Sequence, residues 1–347
     1  MRSYQAASKS SSKASFKASR VGGVAAAAVL LSVFAVGPAV ADDRPAGSDG
    51  FTLQDPRITE SSGLAASRAH PGVYWTHNDS DDGAYLYAVD GRTGKTVATL
   101  TLTGIGDPRD VEAISVGPDG DIYVGDIGDN LGGKWDHVWI YKLPEPKELR
   151  DQTVRATQYV VKYADGPRNA EAMMVHPKTG RVYIVEKGED GGGLYEGPDP
   201  LDSSATNVFK RVADIDLWVT DGAFSPDGKQ LALRGYFGGI SYSWNDGKPK
   251  RQGQLSVPMQ AQGESVTYTL DGKTLLYGSE GKGSSVKPVE VEGAGGSDNS
   301  GGASGSSDDD GGGGGFTGKA GAVGAAVALI AVIGVGRLLR RPKAKAK

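Results

Sequence analysis

One short unit recurs five times between Phe51 and Glu292 and restricts the possible folds more than any other feature of the sequence. Each copy contains an acid, a short apolar run, a turn rich in Pro, Asp or Gly, and a second apolar run that ends in polar residues. The acids are 52, 59, 50 and 43 residues apart: Glu60, Glu112, Glu171, Asp221 and Glu264. Four-stranded propeller blades repeat at about 40–50 residues. The repeat therefore predicts an all-β, five-bladed β-propeller over residues 51–292.

The last copy has room for only three strands before a Gly-rich stretch begins at Gly293. The stretch from Phe51 to Ile58 can supply the missing outer strand, so that an N-terminal strand closes the last blade and removes an exposed sheet edge. A six-bladed propeller is the alternative, if the long second interval contains an irregular extra blade.

The N-terminus has the pattern of a secretory signal peptide over residues 1–41. Basic residues continue to Arg20, an apolar run covers residues 21–36, and small residues precede the expected cleavage after Ala41. An uncleaved anchor helix is the alternative, which the short apolar run disfavours. Residues 42–50 would form a short lead-in to the propeller.

The C-terminus predicts a linker followed by a membrane anchor. Residues 293–318 are almost entirely Gly, Ser, Asp, Asn and Ala, a composition typical of a disordered linker. Residues 319–347 contain an uncharged run from Ala320 to Gly336 and then six Lys or Arg residues. This pattern predicts a single transmembrane helix with a basic cytoplasmic tail. The expected location is the extracellular face of the cell membrane, with the membrane as a partner.

Charge is strongly segregated along the chain. Residues 42–318 hold all 42 acidic residues but only 26 of the 38 basic ones, a net charge of −16. Such a body repels phosphate backbones, which argues against a nucleic-acid partner, and it favours cations or basic partners. The chain has no cysteine, which excludes a disulfide framework and a thiol nucleophile.

Propeller topology predicts where the functional side chains lie. The loop that enters the innermost strand of a blade is on the same face as the loop between its second and third strands. The five repeated acids should therefore form a ring at the mouth of the central channel. Around it we expect ligand-binding residues at the ends of the second strands: His77, Asn78, Asp79, Asp126, Asp129, Asn130, Glu186, Lys187, Arg234 and Glu280.

Five carboxylates cannot all ionise in a narrow channel without a counter-charge. A divalent cation, Ca²⁺ in particular, is one solution, with Glu60, Glu112, Glu171, Asp221 and Glu264 as metal ligands. Two alternatives remain open. Each carboxylate could instead cap backbone N–H groups of the neighbouring inner strand, or a carboxylate could act directly as an acid or base.

The sequence carries no known nucleophile signature, phosphate-binding loop or dinucleotide fingerprint. The favoured function is therefore a module that binds a ligand or protein at the cell envelope. The alternative is a metal-dependent hydrolase of a phosphoester, ester, lactone or glycan, in which a metal-activated water attacks the substrate.

Three segments resemble a known family: the Glu-Ser-Ser-Gly-Leu run at Glu60, the Asp110-Val-Glu112-Ala unit and the strand from Leu86 to Asp90. They are similar to the SdiA-regulated family of bacterial surface propellers, and other runs resemble secreted propellers of high-GC Gram-positive bacteria. The resemblance implies the propeller fold and an extracellular position. Calcium held by inner-strand acids is also similar to the arrangement in five-bladed calcium-activated nucleotidases, whose wider sequence pattern is missing here.

Overall fold

The computed structural model describes residues 49–80, 82–129 and 131–291. The predicted signal peptide, most of the lead-in, the linker and the predicted membrane anchor lie outside these residues. Within the described part of the chain, no helix has the length and apolar character needed to cross a membrane.

The described residues form an all-β fold of 21 strands. They are β1 (Phe51–Thr52), β2 (Ser61–Ala66), β3 (Val73–Asn78), β4 (Tyr85–Asp90), β5 (Thr96–Thr103), β6 (Val111–Val116), β7 (Asp121–Asp126), β8 (Val138–Pro144), β9 (Gln152–Arg155), β10 (Thr157–Tyr163), β11 (Ala170–Val175), β12 (Val182–Glu186), β13 (Gly192–Glu196), β14 (Thr206–Ile215), β15 (Val219–Phe224), β16 (Gln230–Gly235), β17 (Gly239–Asn245), β18 (Lys248–Leu255), β19 (Gly263–Tyr268), β20 (Thr274–Ser279) and β21 (Ser285–Glu290).

The strands pair into antiparallel groups of four. Group 1 is β2-β3-β4-β5, group 2 is β6-β7-β8-β10, group 3 is β11-β12-β13-β14, group 4 is β15-β16-β17-β18, and group 5 is β19-β20-β21-β1. Two parallel pairings add to this pattern, because β9 lies along β5 and β14 lies along β10. The second pairing joins groups 2 and 3 into one eight-stranded sheet.

The first strand of each group is its inner strand. These strands, β2, β6, β11, β15 and β19, pack against one another in order, and β19 returns to contact β2. All six residues of β11 and of β19 are buried, whereas β14 and β18 are largely exposed. The arrangement is therefore propeller-like, with buried strands inside and amphipathic strands outside.

The start of the chain completes group 5. In β1, Phe51 pairs with Val286 and Thr52 pairs with Ser285 of β21. The stretch from Phe51 thus supplies the outer strand that the sequence leaves missing in the last copy of the repeat, although it does so over only two residues.

The hydrophobic core is divided among the five contacts between neighbouring groups. Trp75, Leu86 and Leu100 of group 1 pack on Ile114 and Ile122 of group 2, and similar clusters lie at each of the other four contacts. Burial of apolar surface between the groups, at about 25 cal/mol per Å², is therefore what holds the closed ring together.

The turn between the inner and second strands contains a glycine with positive φ in all five groups. Its glycine has a φ between 71° and 87° in every copy: Gly72, Gly120, Gly180, Gly228 and Gly272. Positive φ is nearly strain-free only for glycine. The Pro, Asp and Gly signals of the repeat thus mark real turns, on the face opposite the channel mouth.

Candidate functional site at the channel mouth

The segment that enters an inner strand is bonded to the end of the second strand in four of the groups. The N–H of Asp79 donates to the carbonyl of Glu60 at 3.0 Å, and that of Gly128 donates to the carbonyl of Asp110 at 3.1 Å. Lys187 and Glu280 make the same bond in groups 3 and 5, to Asn169 and Gln262. These segments define the channel mouth, as the topology predicts.

Each inner strand carries a β-bulge near its start. The pairing between inner and second strands skips one residue in every group, and the skipped residues are Ser62, Glu112, Glu171, Thr220 and Glu264. Bulges of this kind redirect a side chain. We call these five residues the bulge ring.

The bulge ring corrects the predicted ring of acids at two positions. Glu112, Glu171 and Glu264 occupy equivalent places, but Glu60 precedes the bulge of β2 by two residues and Asp221 follows the bulge of β15 by one. Ser62 and Thr220 stand where the prediction placed Glu60 and Asp221. All five groups carry the bulge, but in groups 1 and 4 a hydroxyl residue occupies it and the acid lies nearby. Aligning the copies on their acids therefore misplaced Glu60 and Asp221.

The bulge-ring residues are buried, at 4 % exposure or less. Ser62 Oγ donates to Glu112 Oε2 at 3.0 Å, which links group 1 to group 2. Thr220 Oγ1 donates to the carbonyl of Gly263 at 3.1 Å, which links group 4 to group 5. Ser62 and Thr220 of the bulge ring therefore form hydrogen bonds between neighbouring inner strands.

Lys187 supplies a positive charge to the ring. Its Nζ donates to Glu171 Oε1 and, at 2.9 Å, to the hydroxyl of Tyr236. The lysine side chain is 12 % exposed and that of Glu171 is 2 % exposed. Glu171 is thus neutralised by a neighbouring lysine of its own group.

Burial raises the pKa of Glu112 well above its usual range, and the negative charges of Asp110, Asp79 and Glu264 add to this effect, while Lys187 opposes it. Glu112 Oε1 has no hydrogen-bond partner among the described residues. A Cβ at Gly128 would lie 2.8 Å from that oxygen and 2.5 Å from Asp110 Oδ2. The glycine after Ile127 thus leaves room for two carboxyl groups at the mouth.

Glu60 lies at the edge of the mouth and is partly exposed. Burial raises its pKa to about 7, with further contributions from a hydrogen bond to Asp79 and from the charges of Asp79 and Glu280. Its Oε2 accepts a hydrogen bond from Ser80 Oγ at 3.0 Å. Glu60 and Asp79 therefore form a carboxyl pair, in which Glu60 keeps its proton up to about neutral pH. We call Glu60, Asp79, Asp110, Glu112, Glu264 and Glu280 the acidic cluster.

This pair predicts a pH-dependent stability. The pKa of Glu60 is higher in the folded chain than in the unfolded one, so its stabilisation is fully present below about pH 4.5 and is lost as the pH rises through about 7. In Glu60→Gln the free energy of unfolding, relative to wild type, should rise by about 1–2 kcal/mol between pH 5 and pH 8, a figure reduced for solvent exposure. Urea unfolding at several pH values measures it. Glu148→Gln, whose side chain is 79 % exposed, is the control and should stay parallel to wild type. Equal pH profiles for the two variants would contradict the assignment.

Three predicted ligand residues instead hold the entry segments. Asn78, Asp126 and Glu186 pair with equivalent positions of the inner strands. Asn78 Oδ1 accepts from the N–H of Thr59 and of Glu60, both at 3.0 Å. Asp126 accepts from the N–H of Asp110 at 2.9 Å and from the Tyr141 hydroxyl at 2.5 Å, and Glu186 binds Arg168 at 2.9 Å.

Asp129 organises the loop between β7 and β8. It is fully buried, and its carboxylate accepts from the N–H of Leu131 at 3.1 Å and of Trp135 at 2.5 Å. Its own N–H donates to Asn169 Oδ1 at 2.7 Å. The carboxylate of Asp129, predicted to contact a ligand, is thus already bonded to backbone N–H groups of its own loop. Asn130, also predicted to bind ligand, lies outside the described residues.

Arg234 and Asp221 join groups 4 and 5. Arg234 is fully buried, and its Nη1 donates to the carbonyls of Ser265 at 2.7 Å and Gly278 at 2.6 Å. Asp221 Oδ2 accepts from the N–H of Val266 at 2.8 Å. Asp221 thus caps a backbone N–H group of β19, the neighbouring inner strand. Such capping is the alternative to metal binding that the sequence leaves open. Arg234, predicted to bind ligand, and Asp221, predicted to bind metal, thus make contacts that tie groups 4 and 5 together.

His77 is also buried, at 1 % exposure. Burial lowers its pKa to about 4, so the ring is neutral at physiological pH. Its Nδ1 lies 3.1 Å from the carbonyl oxygen of Asn78, and its Nε2 lies close to Gly63 of β2. His77 therefore packs beneath the mouth, away from the exposed groups.

Seven of the residues predicted from sequence lie together at the mouth: Glu60, Asp79, Glu112, Glu171, Lys187, Glu264 and Glu280. Sequence reasoning missed Ser62, Thr220, Asp110 and Tyr236 there. Asp110 is two residues before Glu112, a spacing that could have drawn notice, whereas no pattern marks the two hydroxyl residues.

The predicted metal centre does not fit the described residues. No group of three or more histidine and carboxylate side chains among them is arranged to hold a metal ion. The reason is visible in the contacts above: Asp221 binds backbone N–H groups, Glu171 binds Lys187, and Glu60 stands outside the bulge ring.

Exposed apolar side chains surround part of the mouth. Phe237 is 68 % exposed and Met259 is 90 % exposed, in loops that lead out of β16 and into β19. Trp218 packs edge-on against Tyr236, with ring centroids 5.1 Å apart. The mouth therefore combines negative charge with apolar and aromatic surface.

No family model matches the chain, and no curated protein matches its sequence. Solved structures do resemble it. They include a gluconolactonase from Xanthomonas campestris, at 17 % identity over 70 % of this chain and 79 % of that one, with a TM-score of 0.42. The PQQ-bound aldose sugar dehydrogenase from Streptomyces coelicolor matches at 12 % identity over 72 % of this chain and all of that one, with a TM-score of 0.42. The RRP9 WD40 repeats match at 8 % identity over 71 % and 99 %, with a TM-score of 0.39. Similarities at this level carry no argument about activity.

Proposed function

We propose that this chain is a five-bladed β-propeller that acts as a binding module, and that its mouth takes up a positively charged group of a ligand or protein. The observation that carries the proposal is the acidic cluster, with Lys187 as the neighbouring cation. The five groups and the ring of contacts between their inner strands support the blade count.

Electrostatics favours a cation at this place. Repulsion among the carboxyl groups contributes to the raised pKa values of Glu60 and Glu112. A positive group beside them would relieve that repulsion and favour the ionised carboxylates. Glu112 Oε1, which lacks a partner among the described residues, could accept a hydrogen bond from an ammonium or guanidinium group. The apolar side chains of Phe237 and Met259 suit a partner that carries apolar groups next to its charge.

The test is calorimetry on the purified full-length chain. Because a bound cation should lower the raised pKa of Glu60, binding near pH 6.5 should release protons. Titration with spermidine and with the peptide Gly-Arg-Gly, in two buffers of different ionisation enthalpy, measures that release. Glu60→Gln should weaken binding about five- to tenfold and reduce the proton release, and Glu148→Gln should change neither. Binding that is equally strong in both variants, or no binding of either probe, would refute a cation site at the mouth.

Calcium is the second arm of the same experiment. A metal that binds only the folded chain raises the unfolding midpoint in proportion to RT ln(1 + [L]/Kd). The geometry favours an organic cation, so CaCl₂ should leave the midpoint unchanged. A calcium-dependent rise that is lost in the double variant Glu112→Gln/Glu171→Gln would restore the divalent-cation hypothesis.

Hydrolysis is a second candidate, favoured by the Glu60–Asp79 pair. A carboxyl group with a pKa of about 7 beside a second carboxyl is suited to general acid or base catalysis at neutral pH. Turnover of a panel of phosphoesters, esters, lactones and glycosides tests it. Activity lost in both Glu60→Gln and Asp79→Asn would support catalysis by this pair, and an inactive wild type would reject it for those classes.

The proposed module works outside the cell. The small residues before Ala41 support export, and the uncharged run from Ala320 to Gly336 followed by a basic tail supports a single C-terminal span. The long Gly-rich linker would let the binding face reorient above the membrane.

A further inference from the structure

A second recess lies on the mouth side of groups 2 and 3, away from the acidic cluster. It is a cavity of 240 Å³, formed where the loop between β7 and β8 meets the segment that leads from β10 into β11. Its walls include Trp135, Asp136, His137, Lys162 and Tyr163. Pockets for drug-sized ligands usually measure about 300–1,000 Å³, so this one suits a single ring.

The loop that carries Trp135 and His137 is held rigidly. The guanidinium carbon of Arg109 lies 4.0 Å from the ring centroid of Trp135 and 3.7 Å from that of Trp139. Its Nη2 donates to the carbonyl of His137 at 2.9 Å. Together with the bond from the N–H of Trp135 to buried Asp129, these contacts preorganise a partly exposed aromatic side chain. Preorganisation of this kind reduces the entropy cost of binding.

The polar side chains around the recess include both a negative and a positive charge. Asp136 Oδ1 lies 2.6 Å from His137 Nδ1, and its Oδ2 lies 3.4 Å from Lys162 Nζ. One carboxylate and one ammonium side by side favour neither an anion nor a cation. They offer both a donor and an acceptor to a neutral polar ligand.

Tyr163 adds an independent observation. Its side chain is 8 % exposed and lines the recess, and its hydroxyl has no hydrogen-bond partner among the described residues. Buried hydroxyl groups are nearly always satisfied, so an unused one in a residue that lines a cavity points to a missing partner.

We propose that this recess binds one neutral sugar ring, such as the terminal unit of a glycan. The C–H face of a pyranose packs on Trp135, and its hydroxyl groups bond to Asp136, Lys162 and Tyr163. The inference is independent of the cation site at the mouth, since the two share no residue. It gives the module a second point of attachment to a glycan-coated surface.

The test is a titration of the full-length chain with methyl glycosides of glucose, galactose, mannose and N-acetylglucosamine, followed by saturation-transfer NMR and tryptophan fluorescence. At least one glycoside should saturate with a Kd of about 1–10 mM. Trp135→Ala should weaken that binding by about tenfold or more, because it removes the aromatic platform. Tyr163→Phe, which keeps the ring, should weaken it about three- to tenfold through the lost hydrogen bond.

Two controls separate this site from the mouth. Phe237→Ala removes an exposed aromatic side chain elsewhere, and Glu60→Gln changes the acidic cluster; both should bind the glycoside as wild type does. If Trp135→Ala does not fold, Tyr163→Phe decides the question. The inference is overturned if no glycoside saturates up to about 100 mM, or if Tyr163→Phe binds as tightly as wild type.

Discussion

Arg234→Met lowers the free energy of unfolding by about 3–5 kcal/mol, which is the largest single effect that we expect in this fold. The fully buried guanidinium donates to the carbonyls of Ser265 and Gly278 and, at 2.8 Å, to Gln260 Oε1. Methionine fills much of the same volume but donates nothing, so these acceptors lose their partner. The buried Asp221 also loses the positive charge that helps to lower its pKa, which burial raises. Urea unfolding at pH 7 measures the loss.

The matched control is Arg251→Met. The guanidinium of Arg251 lies 3.7 Å from Asp216, and the two side chains are 47 % and 92 % exposed. Exposed pairs of this kind contribute little, so the change should stay within about 0.5 kcal/mol. A loss below about 1 kcal/mol in Arg234→Met would show that Arg234 does not hold groups 4 and 5 together.

Lys187→Met should cost about 3 kcal/mol at pH 7, because it leaves the carboxylate of Glu171 buried without its counter-charge. The double variant Lys187→Met/Glu171→Gln removes both charges and should recover more than half of that loss. Lys162→Met is the control, since its partner Asp136 is 74 % exposed, and it should cost less than about 0.5 kcal/mol. Urea unfolding curves for wild type, Lys187→Met, Glu171→Gln and the double variant give the coupling energy between Lys187 and Glu171.

The outcome decides how Glu171 is used. If the double variant is no more stable than Lys187→Met alone, the lysine stabilises the fold by packing on Tyr236 and not by neutralising Glu171. In that case Glu171 would have to be counted with the acidic cluster, and the mouth would carry one more negative charge.

Much of the architecture can be predicted from the sequence because the same local signals recur in five copies. The turn glycines, the apolar strands and the short last copy each predict a feature that the structure contains, down to the pairing of β1 with β21. These signals are local, since each depends on a few adjacent residues whose backbone preferences are strong.

The roles of the site residues were less predictable, for two physical reasons. First, the inner strands are mostly buried on both faces, so no alternation of apolar and polar residues marks which residue forms the bulge. Glu60 and Asp221 were therefore placed in a ring that Ser62 and Thr220 occupy. Second, a buried backbone N–H must be satisfied, and side chains such as Asp126, Asp129 and Asn78 serve that need. Sequence shows that these residues are polar but not whether their hydrogen-bonding capacity is already used.

The pairing of β1 with β21 has a consequence for how the protein is made. The first strand of the described residues, β1, finds its partner only when residues 285–290 have been synthesised. Until then the growing chain carries two open sheet edges, which are prone to pair with other chains. Contacts so distant in sequence also form slowly. We therefore expect protease resistance to appear late, only after the last strand has been synthesised, and expect that removal of either strand leaves a chain that aggregates.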